Sequence, residues 1–258
     1  MKGWLYKEIR HYRYLLFAAL LVPAFCIWMP LLLDFFGGIG ERSAPLHYAF
    51  RSLYDQSAVY FLYLIMSLLI IGMLLLTVFV LDATKKWAYF VGTTPDGIGA
   101  FLNAKYLFVL IICAAFYLSV FWNEALLITI GYMAYGIELP GISDFVLMMM
   151  FLILLLRAAD FAAMARFGTQ TGARVKGYCL LVIFVVGVIW LLFGPLPDDF
   201  ESALSNVFEF VTKLINGTYS EQIGVIIGLL PPVALLAYYL SFKLSCRFYM
   251  KGVEHYEK

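Results

Sequence analysis

The sequence predicts an all-α, polytopic membrane protein with six transmembrane helices, an N-terminal interfacial helix and both termini in the cytoplasm. Three observations carry this. Of 258 residues, 64% are hydrophobic and only 14% charged, against about 25% charged in an ordinary soluble domain. The apolar residues gather in stretches of about 20, the length that crosses a bilayer. The basic residues gather in alternate connecting segments. A water-soluble globule is thereby excluded, and so is disorder, which needs low hydrophobicity and high charge. Eighteen Lys and Arg against seventeen Asp and Glu leave no basic field for phosphates, so no nucleic acid is expected as a partner. The lipid bilayer is.

Taken in order, residues 1–14 set Trp4, Leu5, Ile9 and Tyr12 toward one side of a helix, with Lys2, Lys7, Arg10 and Arg13 mostly elsewhere. That pattern suits a helix lying on the inner leaflet. An ordinary basic flank that sets topology is the compatible alternative. Spans are predicted at about 15–36, 57–81, 105–124, 145–165, 177–195 and 222–245, within a single transmembrane domain, 1–258. The fourth differs from the rest in holding Arg157 and Asp160. The first is too long for a cleaved signal sequence, and no small-x-small pattern follows it. Residues 82–104 form a cytoplasmic loop. In residues 197–217, Phe200, Leu204, Val207, Phe208, Val211, Leu214 and Ile215 recur at helical spacing, which predicts an extracellular amphipathic helix. It either lies on the outer surface or packs as a lid on neighbouring spans.

The orientation follows from the charges. Fifteen basic residues (Lys2, Lys7, Arg10, Arg13, Lys85, Lys86, Lys105, Arg157, Arg166, Arg174, Lys176, Lys243, Arg247, Lys251 and Lys258) fall on one side of this arrangement. Only Arg42, Arg51 and Lys213 fall on the other. The richer side is cytoplasmic, as expected for a bacterial plasma membrane.

Several polar residues stand inside the predicted spans. Arg157 and Asp160, three positions apart, can pair on one helix face. Charge in lipid is expensive and defaults to a role in coupling or in a pathway; the alternative is a structural pair whose Arg reaches the interface. Glu124, beside Asn123 near the outer end of the third span, is a candidate to line a wet vestibule. In the last span, Gly224 and Gly228 permit close helix approach, and Pro231 and Pro232 predict a kink. Packing is the default reading of all four.

The chemistry of enzymes is missing from the pattern. Cys26, Cys113, Cys179 and Cys246 lie far apart in apolar runs, which is neither a disulfide framework nor a zinc site. His11, His47 and His255 all sit in polar flanks. No Gly-x-Ser-x-Gly, His-Glu-x-x-His or phosphate-binding loop occurs. We therefore expect no catalytic residue, no metal site and no cofactor on this chain, and the energy for any work must come from a partner.

The loop 82–104 is the most informative segment. Thr84 can cap a short helix in which Trp87, Phe90 and Val91 share a face and Gly92 ends it. Thr94-Pro95-Asp96 reads as a second cap, with proline at the first helical position. Aromatics beside Lys85 and Lys86 make a knob suited to docking a protein, or a helix resting on lipid headgroups.

The run Thr93-Thr94-Pro95-Asp96-Gly97-Ile98-Gly99-Ala100-Phe101-Leu102-Asn103-Ala104-Lys105-Tyr106-Leu107 resembles a segment of type-2 ATP-binding-cassette permeases. That segment reads roughly Thr-Leu-Pro-Val-Ser-Arg, six variable residues, then Lys-Tyr-Leu. Pro95, Lys105, Tyr106 and Leu107 fall in register. Ile98 departs from the family's usual basic residue, and Asp96-Gly97 is atypical. The layout of the whole chain is also similar.

The resemblance implies a dimer with a second permease copy, identical or paralogous, and a separate cytosolic ATPase subunit that holds ATP and Mg. It makes the loop a coupling region, with Asp82, Lys85, Lys86, Trp87, Tyr89, Phe90, Thr94 and Pro95 as candidate contacts to that ATPase. Compact bacterial relatives include exporters of antimicrobial and toxin peptides, phenol-soluble modulins among them, so an amphipathic peptide or lipid-like substrate is expected. Two rival readings are a membrane immunity protein that binds such a peptide without transporting it, and an intramembrane enzyme.

Overall fold

The computed structural model describes residues 2–38, 49–51, 57–80, 85–95, 97–137, 139, 141, 143–168 and 221–253. Among the described residues there are helices and turns and no strand. The helices are α1 (Lys2–His11), α2 (Arg13–Gly38), α3 (Ser57–Val80), α4 (Lys85–Thr93), α5 (Gly97–Tyr135), α6 (Ser143–Phe167) and α7 (Glu221–Val253). Four stretches are long and apolar enough to cross a membrane: Arg13–Phe36, Gly97–Tyr135, Ser143–Phe167 and Gly228–Val253. Helix α3 adds a further apolar stretch, Leu64–Val80. The described residues are thus helical, with several helices suited to a multi-pass membrane protein. The predicted span 177–195 and the outer helix 197–217 lie outside the described residues.

The chain divides into two compact units, Met1–Val78 with Asn103–Ile153, and Phe79–Leu102 with Leu154–Lys258. In the first, Leu15, Ile27, Leu64, Ile71, Phe108 and Phe116 are among the apolar side chains closed off from solvent. Helix α2 carries Pro23 and Pro30 in its interior. Proline has no N–H for the turn before it, and neighbouring side chains must satisfy the carbonyls that this loosens. The Ser119 hydroxyl on α5 donates to the Leu20 carbonyl at 2.7 Å, one residue past the Ala19 carbonyl that Pro23 leaves without its helical donor. The Trp28 indole N–H donates to Asn123 Oδ1 at 2.9 Å, a second polar tie between the same two helices.

Helix α5 is longer than the predicted span 105–124. Its 39 residues extend about 58 Å at 1.5 Å per residue, nearly twice the hydrocarbon thickness of about 30 Å. The predicted span breaks at Lys105 and at Asn123-Glu124, but the helix carries these polar residues within it and continues through apolar sequence on both sides. It stops where Gly136 adopts φ +67°, the left-handed conformation that closes a helix. There the Ile137 amide returns to the Gly131 carbonyl at 3.1 Å.

In the second unit, Phe79 stacks on Phe161 with ring centroids 4.0 Å apart, and Phe161 meets Tyr238 edge-on at 6.5 Å. The Ser241 hydroxyl donates to the Ala158 carbonyl, joining α7 to α6. Near their ends the two helices approach so closely that a Cβ built on Gly252 overlaps the Ala165 carbonyl. At Gly228, where close helix approach was expected, no described atom lies within 4 Å of an added Cβ. Gly224 lies in the same helix. Helix α7 runs as one element through Pro231 and Pro232, which stand on its solvent- or lipid-accessible length beside exposed Leu229 and Val233.

Candidate functional site

Helix α4 is the short aromatic helix expected within 82–104. Asp82 lies outside the described residues; Lys85 opens the helix and Lys86 is exposed on it. Ala88 and Val91 are fully buried, and they anchor one face. Trp87 belongs to that inward side: it is half-buried, 5.4 Å from the Phe90 ring and 6.5 Å from Phe101, which in turn meets Tyr249 of α7 at 6.0 Å. Tyr89 and Phe90 are each 54% exposed. The single face drawn through Trp87, Phe90 and Val91 is therefore split. Val91 and Trp87 hold the helix, while Phe90 turns outward with Tyr89.

The end of α4 also differs from expectation. Gly92 does not stop the helix, which continues to Thr93. The Thr93 hydroxyl donates to the Phe90 carbonyl at 2.8 Å, and the Thr94 hydroxyl to the Val91 carbonyl at 2.7 Å, closing the last turn from the side chains. Thr94 and Pro95 do not begin the next helix. They form a turn in which the Gly97 amide bonds the Thr94 carbonyl at 3.0 Å. Gly97 sits at φ +66°, where a residue with a Cβ is strained. The atypical glycine of the Thr-Thr-Pro-Asp-Gly run is what lets this turn close.

A buried charge cluster, not anticipated from the sequence, occupies the first unit where α1, α3 and α5 meet. Glu8 is completely buried and Lys105 is 1% exposed. Lys105 Nζ lies 3.6 Å from Glu8 Oε2 and donates to the Val78 carbonyl. Tyr12 donates its hydroxyl to the same carbonyl at 3.4 Å, and its ring lies 5.5 Å from Lys105 Nζ. Val78 and Lys105 flank the loop segment in the chain, so the cluster ties both of its roots to α1. One signal was available: Glu8 is the single acidic residue before Asp34, and it shares a helix face with Trp4, Leu5 and Tyr12. That stripe faces protein rather than lipid alone.

The intramembrane polar residues fall into two separate places. Arg157 and Asp160 form a direct hydrogen-bonded ion pair in α6, 8% and 6% exposed. Glu124 is buried on α5 and accepts the Ser143 amide at 3.2 Å, so it caps the N-terminus of α6, where a carboxylate is favoured. Beside it, Asn123 accepts from Trp28. Neither side chain stands open as the lining of a vestibule in the described residues. Among these residues no three His, Cys, Asp or Glu side chains gather to hold a metal ion.

The described residues thus hold apolar helices, several of spanning length, and, between two of them in the chain, a short helix with exposed aromatics. The family model described as "ABC-2 family transporter protein" matches residues 44–250, which include α3 through nearly all of α7. The chain belongs to the ABC-2 transporter family. No curated protein and no solved structure shows a detectable match to it. As an ABC-2 chain it is the membrane-spanning permease component of an ABC transporter, and the family implies an ABC ATPase subunit as its partner. Helices α1 and α2 precede the matched region, so the ABC-2 segment receives Glu8 and Tyr12 from outside it.

Proposed function

We propose that this ABC-2 permease is one half of an ATP-driven exporter, and that α4 is the helix through which its ATPase partner moves it. One observation carries the reading: Tyr89 and Phe90 are presented outward while Ala88, Val91 and Trp87 fix the helix that bears them. Large aromatics on a rigid support are the side chains that dominate protein interfaces. Lys85 and Lys86 add charge for steering, Thr94 and Pro95 border the surface, and Asp82 is a further candidate contact. The partner binds ATP and Mg; this chain takes up the motion. In this reading six spans cross the membrane, both termini are cytoplasmic, and two permease copies enclose the pathway. The cargo is an amphipathic or apolar molecule, with a toxin or antimicrobial peptide as the favoured class, leaving the cell through a bacterial plasma membrane.

The test is co-purification of the tagged permease with its ATPase subunit. Tyr89→Ala with Phe90→Ala should abolish recovery of the ATPase while the permease stays folded; undiminished recovery overturns the assignment of α4. A second measurement addresses export itself. Cells carrying a partner unable to hydrolyse ATP should lose tolerance to the peptide, and tolerance that survives identifies a binding or immunity protein instead.

A further inference from the structure

We propose that the hollow at the junction of α1 and α2 is a binding site for the headgroup of an anionic phospholipid. A cavity of about 650 Å³ opens there, lined by Tyr6, Lys7, Arg10, His11 and Arg13. Four of these five side chains are cationic or can become so. The carboxylate within reach, that of Glu8, is buried and turned toward Lys105; it engages Lys7 at 3.0 Å. Arg10 and Arg13 are exposed and have no carboxylate partner among the described residues. Two guanidinium forks on one concave surface match phosphate oxygens, which they bind in bidentate fashion.

The position selects a lipid over a free anion. Arg13 is the first residue of α2, and Tyr14, Phe17, Leu20 and Leu21 beyond it are all strongly exposed, as expected of side chains in contact with acyl chains. The hollow therefore sits at the level of the headgroups. Tyr6, 65% exposed, stands at its rim, where an amphipathic ring is favoured. Lipid phosphate in the hollow, with acyl chains along the exposed side of α2, uses both surfaces together. Inorganic phosphate uses only the first. Because Lys7 also pairs with Glu8, occupancy of the hollow acts on the same cluster that fixes α1 to Val78 and Lys105. The site follows from α1 and α2 and is independent of the transport reading.

Native mass spectrometry of the full chain in detergent tests this, with phosphatidylglycerol and phosphatidylcholine added in parallel. Phosphatidylglycerol should be retained in preference. Arg10→Gln with Arg13→Gln should weaken its retention about thirtyfold, from roughly one interaction's worth of attraction per basic residue, while Lys243→Gln with Lys251→Gln leaves it intact. Arg10→Lys with Arg13→Lys should restore only part of the binding, because the charge returns without the bidentate fork. If the glutamine variant fails to fold, salt titration of the wild type gives the same readout, because added salt should strip phosphatidylglycerol first. Equal retention of both lipids, or unaltered retention by the folded glutamine variant, overturns the proposal. So does complete displacement of phosphatidylglycerol by millimolar inorganic phosphate, which would mark a site for free anions.

Discussion

The Lys105 ammonium stands 3.6 Å from the Glu8 carboxylate, with side-chain exposures of 2% and 0%. The pair joins the first helix of the chain to the lysine that opens the Lys-Tyr-Leu run. Removing one partner of a buried pair leaves the other charge uncompensated, at about 3–5 kcal/mol, whereas replacing both by apolar residues can be nearly neutral. Glu8→Leu alone strands the buried Lys105 and should therefore lower the stability of the purified permease by about 3–5 kcal/mol; Lys105→Met alone should cost less, because Lys7 still pairs with Glu8 at 3.0 Å. Glu8→Leu with Lys105→Met together should cost clearly less than the sum of the single changes. Thermal unfolding of the four proteins in detergent measures the coupling; strict additivity would mean that the two groups ignore each other.

On α4 the structure separates holding from presenting. Trp87→Ala should destabilise the permease by about 2 kcal/mol, roughly half the cost of deleting a fully buried aromatic. Tyr89→Ala and Phe90→Ala, on exposed side chains, should stay within about 0.5 kcal/mol and instead weaken association with the ATPase tenfold or more, which corresponds to about 1.4 kcal/mol. Unfolding midpoints and pull-down yields, measured on the same preparations, distinguish the two classes. A stability loss at Tyr89 equal to that at Trp87 would refute the division.

Gly252 and Gly228 lie on the same helix and should respond oppositely to alanine. At Gly252 the new methyl meets the Ala165 backbone, so either α6 or α7 must shift and the melting temperature should fall by several degrees. At Gly228 the space is open among the described residues, and alanine should be neutral or stabilising by up to about 1 kcal/mol through helix propensity. Differential scanning fluorimetry on both variants is sufficient; a melting temperature raised by Gly252→Ala contradicts the close approach.

The Arg157–Asp160 pair invites a sharper experiment than a single deletion. Both groups are nine-tenths buried, so Arg157→Met should be strongly destabilising, by about 3–5 kcal/mol. Arg157→Met with Asp160→Leu should recover most of that loss if the pair is structural. Transport by the stable double variant then reads the remaining question. Full activity assigns the pair to packing, and a dead but well-folded transporter assigns it to the pathway.

Much of this architecture was legible because lipid imposes a coarse and regular demand. Helices α2, α3 and α6 begin and end within a few residues of the apolar stretches that predicted them, and α7 begins where expected but runs eight residues further. The short helix of the 82–104 loop was visible from its aromatic spacing. What could not be read were relationships between helices. The orientation of Trp87 depends on Phe101 and Tyr249, which no local period reveals. Nothing local pairs Glu8 with Lys105, since its counter-charge lies on a distant helix. The extra length of α5 was missed because the predicted span stopped at the polar pair Asn123 and Glu124, although residues 125–135 carry no charge and stay largely apolar. Its two buried charges do recover the membrane scale: Lys105 and Glu124 are about 28 Å apart along the helix axis, close to one hydrocarbon thickness.

Pro23 and Pro30 of α2 have a mechanical consequence. Each marks a rung where the bond that would resist flexure was never formed, since proline has no hydrogen to give. Seven positions separate them, close to two full turns, so both weak rungs open toward the same side and their deflections add. The first span can bow in a single plane like a leaf spring, returning to shape without breaking or remaking a rung.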